Sequence, residues 1–263
     1  MLYAFHIGGL QIPLYFLTIV IGVSVAVLVV VKRPYVATLN RDDILYSAIY
    51  SGIGVIIGAK LLYLVTIAPV LAYIVTNHLL TIGIINELLK GGYVFFGGLA
   101  GGIAGAYIYA RQYKVDFWDL AETLTPGIPL VHAFGRIGCF CAGCCYGVPV
   151  DPPLGMLFND SPITPHDIYL LPIQLIESAF NFALFALIFV VSRKRRPKKD
   201  LLCLYLTVYS VGRFIIEFFR YDAARGALGA LSTSQWICIV TLIVVAVILF
   251  RRKTKTESDR VVL

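Results

Sequence analysis

Long apolar runs separated by short polar breaks dominate the chain. The first, LQIPLYFLTIVIGVSVAVLVVV (10–31), carries no charged residue over 22 positions, and about 20 apolar residues in a helix cross a bilayer. Similar segments fall at 10–31, 44–66, 92–110, 119–138, 173–192, 200–219 and 234–250. This pattern predicts an all-α, polytopic membrane protein with about seven transmembrane helices. The stretch 68–90, APVLAYIVTNHLLTIGIINELLK, is interrupted by Asn77, His78, Asn86 and Glu87, and reads as an interfacial segment rather than an eighth span. The one long polar interval, 139–172, is rich in Pro, Asp and Gly as loops are. No internal repeat divides the chain, so 1–263 reads as a single integral membrane domain.

Basic residues then orient the segments. Lys32, Arg33 and Arg41 follow the first, Arg111 and Lys114 the third, RKRRPKK (193–199) the fifth, and RRKTK (251–255) the seventh. With seven spans all of these clusters share one side, which the positive-inside rule makes cytoplasmic. The N-terminus is then outside, the C-terminus cytoplasmic, and 139–172 an outer loop. MLYAFHIGGLQIP lacks the basic n-region of a secretory signal, so the first run is expected to be retained. Composition agrees: 59% of residues are hydrophobic and only 14% charged, where a soluble domain carries about 25% charged. The net charge of +7 lies in these flanking clusters and implies no nucleic-acid partner.

Ionisable residues inside apolar segments are costly and point to function. Glu122 begins the fourth segment and Arg136 ends it, with Pro126, Pro129 and His132 between. In the sixth, YSVGRFIIEFFR places Tyr209, Arg213, Glu217 and Arg220 on one helix face. Such a stripe serves either helix adhesion through Glu217 or a ligand site. Topology favours the site. Arg136 and Arg220 come near the outer surface, and Arg213 lies about 10 Å deeper at the rise of an α-helix. Guanidinium groups at that depth match the phosphate of an anionic lipid headgroup. In the third segment, Gly98-x-x-x-Gly102 and Gly101-x-x-x-Gly105 allow close helix packing.

The fourth segment runs into FGRIGCFCAGCCYG (134–147), with Cys139, Cys141, Cys144 and Cys145 in C-x-C-x-x-C-C spacing. The readings are small packing residues in a tight glycine-rich turn, then a disulfide or a reactive thiol beside Arg136, and last a metal site. The paired C-x-x-C halves usual for zinc are missing, so no metal and no cofactor are assigned. Cys203 and Cys238 lie in apolar segments and read as packing residues.

GRIGCFCAGCCYG, PIQLIES (172–178) and YSVGRFIIEFFR, in this order, resemble the prolipoprotein diacylglyceryl transferase family, as a divergent, cysteine-rich variant of its signature. The resemblance is densest from about residue 92 onward. It implies a seven-span bacterial-type inner-membrane protein that moves diacylglyceryl from phosphatidylglycerol to the lipobox cysteine of a prolipoprotein, forming a thioether and releasing glycerol phosphate. Its partners would be phosphatidylglycerol, the prolipoprotein signal-peptide region and the bilayer. By resemblance Arg136 matches the signature arginine, with Gly135, Gly138, Phe140, Gly143 and Gly147 in register. Tyr209, Arg213 and Glu217 join Arg136 as catalytic candidates. Arg136, Arg213, Arg220, Glu122, Gly97, Gly98 and Tyr15 are substrate-binding candidates. Gln174, Glu177 and Gln235 also fit family positions.

The departures are specific. Phe96 stands in place of the family's histidine before Gly97 and Gly98. Cys139 and Ala142 replace signature asparagines, and Cys144 replaces an acidic residue. The group that handles the acceptor thiol's proton is thus unassigned, with His132 and, less directly, His166 as candidates. A paralogue with another acceptor, a thiol-redox or metal-binding membrane protein and a lipid-binding transporter are the alternative readings.

Overall fold

The computed structural model describes residues 4–7, 10–32, 39–77, 79, 81–90, 92–161, 163–192, 200–221 and 227–261. Arg33, His78 and the basic run 193–199 lie outside the described residues. In chain order the elements are β1 (Ala4–Ile7), β2 (Leu10–Pro13), α1 (Leu14–Val31), α2 (Arg41–Thr66), α3 (Ala68–Thr76), α4 (Ile82–Lys90), α5 (Phe95–Gln112), α6 (Phe117–Leu124), α7 (Gly127–Ala142), α8 (Ile173–Val191), α9 (Asp200–Ile216), β3 (Ala227–Leu228), β4 (Leu231–Ser232) and α10 (Thr233–Val261). A 3-10 turn, Glu217–Phe219, continues α9. The strands form two small antiparallel hairpins, β1 with β2 and β3 with β4.

Five helical stretches among the described residues are long and apolar enough to cross a membrane: Leu14–Val31, Arg41–Thr66, Ile173–Val191, Asp200–Phe219 and Thr233–Lys253. They expose large apolar side chains, for example Ile56 and Val190 at 61% each. Water would penalise such a surface heavily, whereas lipid is an equivalent solvent for it. The chain is a membrane protein of predominantly helical structure. Segment 92–110 forms a single helix, the glycine-rich α5 of 18 residues. Segment 119–138 takes another form: it is divided by Thr125 and Pro126 into α6 and α7, because a proline disfavours helical geometry in the residue before it. The segment 68–90 forms two nine-residue helices, each about 14 Å long at helical rise.

The chain divides into two compact units, Val36–Thr123 and Met1–Tyr35 with Leu124–Leu263. In the first, α2 and α5 pack backbone to backbone. A Cβ on Gly101 would fall 2.0 Å from the Gly54 carbonyl oxygen, and one on Gly97 would fall 2.3 Å from that of Gly58. Only glycine permits this approach. Tyr109 on α5 donates to Asp43 Oδ1 on α2 at 2.8 Å. The other Asp43 oxygen, Oδ2, accepts from the Asn40 amide at 3.0 Å at the start of α2, so one carboxylate both caps α2 and ties it to α5.

In the second unit α7 packs against α1 and α8, and α9 against α8 and α10. Leu184, Ile188, Leu201 and Tyr205 form a buried cluster between α8 and α9. Helix α7 runs past the expected end at 138 to Ala142, where Gly143 adopts a left-handed conformation (φ 70°) and closes it in a Schellman-type turn. The following segment, 143–172, is internally bonded. Ser161 donates to the Ala142 carbonyl at 3.0 Å, Thr164 to that of Gly143 at 2.5 Å, and His166 Nε2 contacts the Ser161 carbonyl at 2.9 Å. The segment also pairs with the end of α9, through the Val148 amide to the Phe219 carbonyl at 2.9 Å and the Tyr221 amide to the Tyr146 carbonyl at 3.1 Å. That pairing carries Arg220 toward the cysteine-rich turn.

Candidate functional site

Three helices bring their ionisable groups into an alternating ladder. Arg136 Nη2 on α7 lies 3.0 Å from Glu177 Oε1 on α8. The same oxygen lies 3.1 Å from Arg213 Nη1 on α9. Arg213 Nη2 meets Glu217 Oε2 at 2.5 Å, and Arg220 Nη1 stands 3.9 Å from that oxygen. The order is Arg136, Glu177, Arg213, Glu217, Arg220, so each carboxylate stands between two guanidiniums. Three cations against two anions leave one net positive charge. The members are not equally accessible. Arg136 exposes 21% of its side chain, whereas the other four expose between 1% and 8%. Arg213 is locked between two carboxylates and also reaches Ser234 Oγ at 3.5 Å. Arg136 is the open end.

The sixth-segment stripe is therefore present, with one change. Tyr209 and Arg213 are on α9, while Glu217 and Arg220 fall on the 3-10 turn and just beyond it. Glu177 is the member that residue spacing alone does not reveal. It is the single ionisable residue between 173 and 192, which is itself the signal that could have found it. Burial of a lone carboxylate at 2% exposure requires partners.

His132, one turn before Arg136, enters an aromatic stack. Its Nδ1 lies 3.3 Å from the Tyr205 hydroxyl, its ring centroid is 5.3 Å from that of Tyr209, and Tyr205 and Tyr209 are stacked at 5.6 Å. Tyr209 thus lines the site beside a histidine. His166 is engaged within the 143–172 segment.

The turn after α7 sorts the four cysteines. The Sγ atoms of Cys139, Cys144 and Cys145 all lie within 4.8 Å of one another. Cys141 is not among them, because positions i and i+2 of a helix point to nearly opposite sides. The Cys144 amide bonds the Cys139 carbonyl at 3.1 Å, folding the chain back on α7. Cys145 itself sits at φ 60°, uncommon for a residue with a side chain. Hydrogen bonds from Cys139 and Cys144 hold the Cys145 thiol well below its ordinary titration range, with Arg220 and Arg136 adding to the effect. All six cysteines are free thiols, with Cys203 and Cys238 buried.

The remaining candidates divide. Tyr15 on α1 packs on Gly138, where an added Cβ would come 3.1 Å from its ring. Gln174 Nε2 donates to the Cys144 carbonyl at 2.8 Å, holding α8 against the cysteine turn. Gln235 Oε1 accepts from the Ser232 amide at 2.9 Å, and Ser232 Oγ accepts from the Gln235 amide at 3.2 Å. This is a capping box for α10. Glu122, Gly97, Gly98 and Phe96 belong to the unit Val36–Thr123. There Glu122 is buried, Gly97 and Gly98 are buried against α2, and Phe96 is exposed with its ring 5.6 Å from Phe95.

The sequence profile of the family described as prolipoprotein diacylglyceryl transferase matches residues 2–251. The phosphatidylglycerol–prolipoprotein diacylglyceryl transferase of Clostridium tetani is 37% identical over 243 residues, covering 91% of this chain and 93% of its own. A second enzyme of that name from Clostridium perfringens is 34% identical over 238 residues, covering 90% of each chain. That of Pseudomonas putida is 32% identical over 249 residues, covering 91% of this chain and 89% of its own. The buried ladder and the cysteine turn are thus features of a chain that belongs to the prolipoprotein diacylglyceryl transferase family.

Proposed function

We propose that this protein transfers the diacylglyceryl group of phosphatidylglycerol to the lipobox cysteine of a prolipoprotein. The observation that supports this reading beside the family membership is Arg136, whose side chain is the most exposed of the five, at the end of an otherwise buried ladder of three guanidiniums and two carboxylates. The acceptor sulfur attacks the glycerol carbon that bears the phosphate. A C–S bond forms as the C–O bond breaks, and glycerol phosphate leaves with one more negative charge than the diester carried. Arg136 faces that growing charge, and preorganised electrostatic help of this kind is often the largest part of catalysis. Glu177 aims Arg136, Glu217 fixes Arg213 and draws in Arg220, and Tyr209 lines the lipid's path.

The arrangement in the membrane follows the same reading. Seven spans, an outer N-terminus and a cytoplasmic C-terminus place the protein as a multi-pass component of the bacterial inner membrane. The segment 68–90 lies in the interface, and 139–172 faces outward. Tyr15, Glu122, Gly97 and Gly98 are assigned to the lipid's surroundings on the family pattern. The signal-peptide helix of the prolipoprotein delivers the acceptor within the bilayer plane. Phe96, which removes the family's histidine, favours a second reading: a paralogue that passes the same group to another acceptor.

Purified protein with phosphatidylglycerol and a lipobox peptide tests both. A peptide gaining one diacylglyceryl unit with release of glycerol phosphate supports the first reading. Glycerol phosphate without peptide gain supports the second. A folded Arg136→Ala variant that transfers as fast as the parent overturns the proposed role of the ladder.

A further inference from the structure

We propose that Cys139, Cys144 and Cys145 form a three-thiolate site for a thiophilic divalent metal, zinc in character, whose fourth position takes the acceptor thiol. The three sulfurs already converge within 4.8 Å, and a tetrahedral zinc with bonds of about 2.3 Å needs ligand sulfurs about 3.8 Å apart. The backbone is arranged for that convergence. Gly143 reverses the chain at φ 70°, and Cys145 adopts φ 60°, where a side chain is disfavoured. A disulfide would use two of these thiols and leave the third without a role. Coordination uses all three.

Charge agrees with the assignment. Three thiolates around a divalent ion carry one net negative charge, and the five ladder side chains named above sum to one positive charge. Arg136 lies three residues before Cys139 on α7, and so on the same face. The loop pairing between Gly147 and Arg220 brings the far end of the ladder to the same turn. Three protein ligands and one open position distinguish catalytic zinc sites from structural ones.

The chemical role rests on the transferase reading above; the site itself does not. A thiol that binds the metal does so as thiolate, releasing its proton to water. That sulfur then forms the C–S bond as the C–O bond to phosphate breaks. The resulting thioether, neutral and a weak ligand, leaves the metal.

The test uses the full-length reduced protein in detergent, stripped of metal and titrated with Co²⁺, then Zn²⁺. One Co²⁺ per chain is expected, with thiolate charge-transfer absorbance, displaced by Zn²⁺. Cys139→Ser, Cys144→Ser and Cys145→Ser are each expected to weaken uptake by about a hundredfold or more, a loss at least as large as that for outer-shell partners. Cys141→Ser, Cys203→Ser and Cys238→Ser should bind as the parent does. Because a serine variant can misfold, the cadmium resonance of the Cd²⁺-loaded parent provides an independent count of three protein sulfurs. A lipobox peptide should shift the Co²⁺ bands, and its serine version should not. Uptake insensitive to the three serine variants, equal loss in Cys141→Ser, or a cadmium shift without three sulfurs overturns the site. Co²⁺ bands indifferent to the peptide thiol overturn its acceptor role. Metal uptake as expected without any transfer to peptide counts against the transferase reading and leaves the site standing.

Discussion

Arg213 Nη1 lies 3.1 Å from Glu177 Oε1, joining α9 to α8, while the same carboxylate oxygen holds Arg136 of α7 at 3.0 Å. One oxygen therefore fixes a buried guanidinium and an accessible one at once. The consequence is a division of labour between two arginines that look alike in sequence.

Arg136→Ala and Arg213→Ala should fail differently. Arg136 is partly exposed and lost at the end of the ladder, so its removal should lower transfer by about 10² to 10³ with little loss of stability. Arg213 stands between two buried carboxylates, and its removal takes the most closely held buried cation from both, leaving Glu177 with the partly exposed Arg136 and Glu217 with Arg220 at 3.9 Å. A destabilisation of about 3–5 kcal/mol is expected. Thermal unfolding in detergent beside a transfer assay separates the two. Equal melting temperatures for the variants would refute the division.

Glu177→Gln keeps the shape of the side chain and removes the charge shared by two guanidiniums. Both a fall in transfer and a loss of stability of about 3 kcal/mol or more are expected, since the ladder then has three buried or half-buried cations and one anion. Glu177→Asp should recover part of the stability and less of the activity, because Arg136 is no longer aimed. The same two assays check this. Unchanged kcat in Glu177→Gln would show that Arg136 positions itself.

Four of the ladder's five members, Arg136, Arg213, Glu217 and Arg220, were legible in the sequence as charges within apolar segments. Arg213, Glu217 and Arg220 at steps of four and three define their own stripe, because helix geometry is a local property. Glu177 was not legible in its role, since its contacts cross from α8 to α7 and α9 and no spacing encodes them. The cysteines behaved the same way. Helical periodicity separates Cys139 from Cys141, but the convergence of Cys144 and Cys145 on Cys139 depends on two left-handed residues, one of them not a glycine. The break at Thr125 and Pro126 was marked by its proline, yet an apolar run outweighed it. The α2–α5 contact was partly readable from the glycines of α5, and their partners Gly54 and Gly58 carry the same four-residue spacing on α2.

Those partners carry their own prediction. A Cβ on Gly101 would come 2.0 Å from the Gly54 carbonyl oxygen, a contact that no side-chain rotation relieves. Gly101→Ala should force α5 away from α2 and cost about 1–3 kcal/mol, the usual range for overpacking. Gly52→Ala on α2, where an added Cβ meets nothing within 4 Å, is the control and should melt with the parent. Thermal unfolding of both variants decides it.

Gln235 resembles a family glutamine, and its geometry is that of a cap. Gln235→Ala removes the acceptor for the Ser232 amide at 2.9 Å and should destabilise α10 by about 1 kcal/mol. Its effect on transfer should vanish when rates are compared per folded molecule. A raised KM in fully folded Gln235→Ala would instead place the side chain against the lipid.

The last prediction concerns acidity. Cys145 is half-buried and accepts hydrogen bonds from the Cys139 and Cys144 thiols, with Arg220 and Arg136 nearby, so its folded-state pKa is depressed. The thiolate is the species that alkylates. An ordinary thiol titrates near about 8.5, and between about pH 8 and about pH 6 its thiolate fraction falls some 75-fold. Cys145 in the metal-free, reduced protein should keep its thiolate and hold its iodoacetamide rate nearly constant over that window. Cys141, outside the cluster, should slow by one to two orders of magnitude. The sign for stability follows from the same depression. The contribution of the Cys145 thiolate is present above the unfolded pKa and declines as pH falls toward the folded one, so Cys145→Ser should lose most relative to the parent at alkaline pH. Peptide-resolved mass spectrometry of the alkylated protein measures both cysteines in one experiment. A Cys145 rate that falls in parallel with Cys141 would show that the thiol cluster and its arginines do not hold the charge.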